Sequence, residues 1–142
     1  MNMKKEMVLL FLLVFFLSGT RFIFPGVVVI TNPDTGISSL KQKEIREIFT
    51  GKKKSWENDG KITLAILKNS KIHKQFLKQF VSKTPSQFRN YWREKVFTGE
   101  GSSPRTFETE ERLINFVSRT KGAIGYISSP KNKRVKIIKI IE

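Results

Sequence analysis

The sequence contains no cysteine and only one histidine among its 142 residues. The missing cysteines exclude a disulfide framework, a thiolate zinc site, a cysteine nucleophile and the lipidated cysteine of a bacterial lipoprotein. A single histidine excludes a metal site built from several histidines and leaves one candidate base for a serine–histidine–aspartate triad. Walker A and G-x-G-x-x-G motifs are also absent from the sequence. The sequence therefore predicts no enzyme activity, no catalytic residues, no cofactor and no metal site.

One long apolar run, VLLFLLVFFL at residues 8–17, lies between two lysines and a stretch of small residues. This arrangement is typical of a secretory signal peptide, and the run is shorter than the ~20 residues of an ordinary membrane helix. Residues 22–26 are largely apolar again and no A-x-A cleavage site appears, so an uncleaved anchor or a buried core helix remain alternatives. We predict a signal peptide or N-terminal membrane anchor at residues 1–25 and an exported domain at residues 26–142. A protein without cysteine fits a bacterial periplasm or cell envelope, with membrane contact only through the N-terminal segment.

Positive charge is in large excess, with a formal net charge of +15, of which +13 remains after the first 25 residues are subtracted. Such an excess is compatible with binding to nucleic acid, an anionic surface or an acidic polymer. The lysines are scattered, however, and no basic helix alternates with stacking aromatic residues. A generic basic surface is the simpler interpretation, and export disfavours nucleic acid as a partner.

Hydrophobic patterning predicts strands alternating with helices, and hence an α/β domain. Strands are predicted at Val27–Ile30, Ile62–Leu67, Ala123–Ile127 and Val135–Ile141. Helices are predicted at Ser38–Thr50, from Ser70 to Val81, from Thr84 to Val96 and from Thr109 to Val117. Loops are predicted at Lys52–Asp59, around Trp56, and at Gly99–Pro104. Because the first strand is apolar at every position, it suits a strand covered on both faces, as in parallel sheets.

The start of the first helix is open to two interpretations. Ser39 with Gln42 would form a capping box. Alternatively, Lys41 occupies the cap position and Glu44 is the third helical residue. The other three helices begin after a serine or threonine that is a good N-cap.

A strand–loop–helix junction at Lys68, Asn69, Ser70 and Lys71 is the candidate ligand site. The start of a helix presents free N–H groups and about half a positive charge, to which the serine adds a hydroxyl and the lysines add charge. In open α/β sheets, ligands bind at the carboxyl ends of strands. The junction is interpreted as an anion site, with simple capping of the helix by Ser70 as the alternative.

The remaining ionisable residues are expected to have structural roles. His73 is the third residue of the same helix and is expected to be a partly exposed helix residue. Glu44 and Glu47 lie three residues apart among lysines, so ion pairing is favoured over acid–base catalysis.

Several stretches of the chain match a family pattern when they are taken in order. The first runs from Ser39-Leu40 through Ile48-Phe49 and Gly51 to Trp56, and the last is TKGAIGY at residues 120–126. They resemble the S-L…I-F-x-G…W and T-P-G-A-I-G-Y segments of the phosphate-type substrate-binding proteins of ABC transporters. Asn32-Pro33 and Ser70…Phe76 resemble further segments, so the match covers most of residues 27–128.

This resemblance implies a single lobe of a type II periplasmic-binding-protein-like fold, an α/β domain with a central mixed sheet flanked by helices. It also implies phosphate or another oxyanion as ligand, and an ABC-transporter permease or envelope protein as partner. Ser70 is the one position of the family's anion motif that is kept, since Ile66 stands where the arginine is expected and Lys71 where the glycine is. Lys68 is a partial replacement for that arginine, as a point charge without the bidentate fork.

We therefore expect an exported, non-enzymatic binding protein with weak oxyanion binding at the start of the Ser70 helix. One alternative is an envelope protein-interaction module without a small ligand. The other is a basic binder of nucleic acid or anionic surfaces.

Overall fold

The computed structural model describes residues 26–58, 60–128 and 132–142. The predicted leader at residues 1–25 lies outside the described residues, so the boundary at residue 25 stays a prediction. Within the described ranges, no helix is long and apolar enough to cross a membrane.

The described strands are short, and five of them form one mixed sheet. In chain order they are β1 (Val28–Thr31), β2 (Ser39–Lys41), β3 (Ser55–Trp56), β4 (Gly60–Lys61), β5 (Thr63–Leu67), β6 (Arg105–Phe107), β7 (Ala123–Ile127), β8 (Lys136–Ile137) and β9 (Lys139–Ile141). The main sheet has the order β6-β5-β7-β1-β8. Strand β5 is parallel to both of its neighbours, whereas β1 is antiparallel to both of its own.

The predicted mixed sheet is confirmed, but the expectation of parallel pairing at residues 27–30 is wrong. Strand β1 lies inside the sheet between β7 and β8, and Val29 and Ile30 are fully buried. An interior strand covered on both faces is apolar whether its neighbours are parallel or antiparallel to it. The apolar run therefore indicates that β1 is buried but not how its neighbours are oriented.

Four helices of the described part pack around the sheet. They are α1 (Gln42–Phe49), α2 (Lys71–Phe76, continued by a π-helical turn at Leu77–Val81), α3 (Pro85–Phe97) and α4 (Glu110–Arg119). Helix α4 packs on β5 and β7, and α2 packs on β5. The predicted N-caps of the last three helices are confirmed, because each cap hydroxyl accepts a hydrogen bond from the backbone N–H three residues later.

Helix α1 begins four residues later than predicted. Residues 39–41 form β2, which pairs in parallel with β9, so the frame that used Ser39 as the cap is wrong. The alternative frame is correct, since the Lys41 N–H donates to Glu44 Oε2 at 2.8 Å. The glutamate thus satisfies the N–H of the cap residue, whereas the lysine side chain has no acceptor for the N–H of the third helical residue.

Two further segments differ from the expectation. The predicted loop at residues 52–59 contains β3, which pairs in antiparallel with β4. Trp56 is buried, and its Nε1–H donates to the Gly122 carbonyl at 3.0 Å. The predicted final strand is interrupted at Ile138, whose N–H donates to the Val29 carbonyl at 2.9 Å. The run therefore divides into β8 and β9, which pair with different strands.

An aromatic cluster in the core joins α1, α2 and β7. Phe76 stacks on Tyr126 with ring centroids 4.0 Å apart, and Phe49 meets Phe76 edge-on at 4.6 Å. All three rings are fully buried. This packing holds the start of α2 against the sheet and so positions the junction that follows β5.

The side chain of Asn32 ties the end of β1 to the end of α4. It is buried, its Nδ2 donates to the carbonyls of Val117 and Ser118 at 3.0 and 3.2 Å, and its Oδ1 accepts from the Asp34 N–H at 2.9 Å. We expect Asn32→Ala to lower the free energy of unfolding by about 2 kcal/mol, because buried backbone groups lose their partners. Urea denaturation measures this change. Asn90→Ala, on the exposed face of α3, is the matched control, and an equal effect of the two variants would contradict the assignment.

Candidate functional site

The junction after β5 is an abrupt turn from strand to helix. The Lys68 N–H donates to the Phe107 carbonyl at 2.9 Å and continues the pairing of β5 with β6. Asn69 then adopts a φ of 36°, in the left-handed region that asparagine tolerates better than most residues. Ser70 caps α2, with its Oγ accepting from the His73 N–H at 3.0 Å. The four predicted site residues thus lie together at the carboxyl end of β5.

A cleft of about 470 Å³ opens beside this junction. Its walls come from the end of β5, from α3 and from the segment around β6. The basic and polar lining residues are Lys68, Asn69, His73, Arg89, Arg93, Ser103 and Thr106, and the apolar ones include Ile66, Phe88, Trp92 and Val96. Among the described residues, no aspartate or glutamate lines the cleft. The lining is therefore rich in hydrogen-bond donors and positive charge.

The four predicted residues have different positions relative to this cleft. Lys68 and Asn69 line it. The Lys68 ammonium lies 3.2 Å from a Glu108 carboxylate oxygen, and both side chains are more than half exposed, so this ion pair is weak and leaves the lysine available. Ser70 is engaged in capping and Lys71 is exposed, and neither lines the cleft.

Two arginines that the sequence analysis did not identify face the cleft from α3. Arg89 and Arg93 are four residues apart, one helical turn, and so lie on one face of the helix. The Arg89 guanidinium makes a long contact of 3.4 Å to the Ser86 hydroxyl, and the Arg93 side chain has no hydrogen bond or ion pair with the described residues. The signal in the sequence was that each arginine directly follows one of the buried aromatics Phe88 and Trp92, but nothing local indicated which part of the sheet that side of the helix would meet.

The expectation that His73 is partly exposed is wrong. His73 is 5% exposed, because it shares the face of α2 that carries Phe76 and the next turn's apolar residues into the core. Its Nδ1 lies 2.5 Å from the hydroxyl of Tyr126, which also accepts the Leu67 N–H at 3.0 Å. Burial lowers the pKa of His73 to about 4 and raises the pKa of Tyr126. Both side chains are therefore uncharged near neutral pH.

A second hollow, of about 730 Å³, is lined by the β3–β4 hairpin and the segment before β6. It contains none of the predicted site residues, and two of its three lysines are engaged. Lys53 lies 3.6 Å from a Glu44 carboxylate oxygen, and Lys54 Nζ donates to the Glu100 carbonyl at 2.6 Å. The cleft beside β5 is therefore the better candidate for ligand binding.

The family model described as a PBP superfamily domain matches residues 17–140, which is most of the chain. The chain belongs to the PBP superfamily. The family resemblance inferred from the motifs is thereby confirmed.

The chain is also similar to individual members of this superfamily. It is 31% identical over 107 residues to the phosphate-binding protein PstS of Bacillus subtilis (strain 168), a match that covers 72% of this chain and 31% of PstS. A solved structure from Clostridium perfringens, assigned as a phosphate ABC transporter substrate-binding protein with bound phosphate, has a TM-score of 0.65 and 20% identity, covering 81% of this chain and 44% of that one. PstS from Borrelia burgdorferi has a TM-score of 0.62 and 16% identity, covering 80% and 46%.

These similarities confirm the single-lobe, PBP-like α/β fold. Because these solved structures are at most 20% identical to this chain, they establish its fold alone. The chain spans about a third of the length of the curated relative and less than half of each of these solved structures.

In this PBP-superfamily chain, the TKGAIGY segment builds the centre of the sheet and reaches the cleft. Gly122 has a φ of +81° and its carbonyl accepts the Trp56 indole N–H. Every residue of β7 that follows it is buried. The last aromatic of the segment, Tyr126, contacts His73 at the cleft. The motif thus connects the middle of the fold to the candidate site.

Proposed function

We propose that the chain is an exported, non-enzymatic binding protein that binds an oxyanion such as phosphate weakly at the start of α2. The observation that supports this most directly is the cleft, where Lys68 and Asn69 of the junction meet Arg89 and Arg93 of α3. Cationic side chains and hydrogen-bond donors converge there at the carboxyl end of a strand, the usual ligand position in α/β sheets. The relatives named as phosphate-binding proteins support the choice of phosphate.

Weak binding follows from the composition of the site. Ile66 offers no guanidinium at the position where the family motif has arginine, and Lys68 supplies a point charge without the bidentate fork. All of the donors that the described residues bring to the cleft come from a single lobe. Export and location in the periplasm or cell envelope belong to the same proposal and rest on the apolar run at residues 8–17.

The expected partner is a membrane permease of an ABC transporter or another envelope protein. Two exposed apolar side chains favour the alternative function, a protein-interaction module without a small ligand. Phe97 is 91% exposed and Val96 42% exposed, both at the end of α3, beside the cleft. Under that alternative, titration of the chain with phosphate produces no heat.

Isothermal titration of the full chain with sodium phosphate tests the proposal. We expect heat that saturates in the millimolar range and that is reduced by Ser70→Ala, which also lowers the free energy of unfolding by about 1 kcal/mol through loss of the cap. Thr109→Ala is the matched control, because Thr109 caps α4 through the same contact, whereas Ser70 caps the helix that carries His73 of the cleft lining.

The control should have the same stability loss and an unchanged phosphate affinity. No heat at millimolar phosphate would overturn oxyanion binding. Unchanged affinity in Ser70→Ala would show that the serine only caps the helix. Affinity for a polyanion that falls steeply with the logarithm of salt concentration would instead favour the basic-polymer alternative.

A further inference from the structure

The hydrogen-bond partners of Tyr126 determine which nitrogen of His73 carries the proton. The Tyr126 oxygen accepts the Leu67 N–H, and its own O–H has one acceptor within reach among the described residues, His73 Nδ1. Were the proton on Nδ1, two donors would point at one oxygen and the tyrosine O–H would have no acceptor. The neutral imidazole therefore accepts at Nδ1 and carries its proton on Nε2.

Among the described residues the Nε2–H group has no partner, whereas Nδ1, the other nitrogen of this buried ring, is paired with Tyr126. The side chain is 95% buried, as its 5% exposure shows, and the ring lines the cleft. In the described part of the chain, the buried side-chain atoms that lack both a partner and solvent are Thr31 Oγ1 and Thr35 Oγ1. Nε2 has no partner and is not one of these atoms, so it retains contact with solvent. Because the ring lines the cleft, that solvent lies in the cleft.

We propose that His73 is a ligand-binding residue of the cleft, where its fixed Nε2–H donates to an oxyanion held by Arg89 and Arg93. This inference rests on the proposed oxyanion binding and says which residues carry it. The arginines on α3 supply the guanidinium groups that are missing at Ile66. Tyr126 does not reach the ligand and acts as a positioning residue, because its O–H holds the imidazole in the donating tautomer.

The same lining determines the class of ligand. Lys68, both arginines and the His73 Nε2–H only donate hydrogen bonds, and no described carboxylate lines the cleft to accept a proton from the ligand. The side-chain acceptors of the lining belong to Asn69, Ser103 and Thr106, which are exposed, so water satisfies them when the ligand has no proton. A site rejects an analogue strongly only when that analogue leaves a buried polar group unpaired. Sulfate, which has four acceptor oxygens and no proton, leaves none of these donors unpaired. The cleft is therefore a general site for tetrahedral dianions and does not select phosphate over sulfate.

Nitrogen NMR of the full chain, purified in detergent and labelled at histidine with ¹⁵N, tests this directly. His73 is the only histidine, so one pair of imidazole signals reports on it without ambiguity. In the ligand-free protein at pH 7.5 we expect the protonated nitrogen to be Nε2. Titration with sodium sulfate or with sodium phosphate should move the Nε2 signal to saturation and leave Nδ1 as an acceptor, with the two affinities equal within about threefold.

Variants separate the role of the nitrogen from the role of the fold. His73→Phe should weaken both anions about tenfold, because a hydrogen bond to a charged group is lost, whereas His73→Gln should recover part of that loss through its amide N–H. Arg93→Gln should weaken both anions, and Arg119→Gln at the end of α4, outside the cleft, is the matched charge control. Tyr126→Phe should weaken the binding of both anions, because the O–H that keeps Nδ1 unprotonated is lost. The imidazole proton should then be found on both Nδ1 and Nε2.

The outcomes distinguish this inference from the proposed function. Heat on phosphate titration without movement of the Nε2 signal would overturn the role of His73 while leaving oxyanion binding intact. A proton on Nδ1 in the ligand-free protein would overturn the tautomer assignment without any ligand. Phosphate binding without sulfate binding would overturn the ligand class, and no heat with either anion would overturn the proposed function as well.

Discussion

Gly122→Ala is expected to lower the free energy of unfolding by at least about 3 kcal/mol, because a methyl group there meets two separate obstacles. The first is conformational, since Gly122 has a φ of +81°, a region that side chains other than glycine's rarely adopt. The second is steric. A Cβ atom at this position would lie 2.3 Å from the Lys61 carbonyl oxygen, and a backbone oxygen in the β4–β5 segment cannot move aside as a flexible side chain can.

The matched control for this prediction is Gly99→Ala. Gly99 has a similar φ of +74°, but a Cβ atom there would have nothing within 4 Å. Its replacement therefore measures the conformational term alone, about 1 kcal/mol. Urea denaturation of both variants isolates the steric term as the difference. Equal losses in the two variants would show that the Gly122 backbone relaxes away from Lys61 and would contradict the prediction.

Local features of the fold were predictable because their causes are local in sequence. Ser70, Thr84 and Thr109 cap helices through contacts that reach only three residues along the chain, so their residue types suffice to identify them. The turn after β1 was predictable for the same reason, since Asn32 Oδ1 accepts the Asp34 N–H two residues later. Such contacts depend little on the rest of the fold.

Features that depend on distant partners were not predictable from patterning. Strand β6 and the β3–β4 hairpin are two or three residues long in each strand, and they exist because a neighbouring strand supplies the hydrogen bonds. The direction of β1 depends on which strands flank it, and the break at Ile138 depends on the position of Val29. Periodicity over so few residues has no power to distinguish these cases.

The residues of the candidate site also fall into a group with local causes and a group that depends on distant partners. The junction Lys68–Lys71 was identified because strand, turn and helix are consecutive in the chain. Arg89 and Arg93 join it only through the packing of α3 across the end of β5. For His73 a signal did exist, since His73, Phe76 and Phe80 follow the helical spacing of a buried stripe. Reading that stripe to its first member would have placed the histidine in the core.

The burial of His73 predicts that the protein loses stability as the pH falls from 7 to 4. The folded-state pKa of His73 is about 4, below the unfolded value of about 6.5. Between these values the unfolded chain binds a proton at this residue and the folded protein does not, so the free energy of unfolding falls as the pH is lowered. The contribution of His73 is fully present above about pH 6.5 and is lost as the pH approaches 4.

The size of the effect follows from the difference between the two pKa values, which corresponds to about 3 kcal/mol at pH 4. Tyr126 stays protonated throughout this range, because burial raises its pKa. Glu108, which pairs with Lys68, is present in any His73 variant, so its contribution cancels when two proteins are compared.

His73→Gln is the variant that isolates this contribution, because glutamine keeps an amide N–H at the cleft and has no proton to gain. Urea denaturation of both proteins at intervals from pH 7.5 to pH 4 should show the wild-type protein losing about 3 kcal/mol more than the variant over that interval. A titration of the His73 imidazole signals by NMR should show about a tenth or less of the folded protein protonated at pH 5. Stability curves that run parallel for the two proteins would mean that His73 has the same pKa in the folded and the unfolded state. The imidazole would then be charged below about pH 6.5, where Nδ1 cannot accept the Tyr126 hydroxyl, and the buried, uncharged donor assigned to the cleft would be wrong.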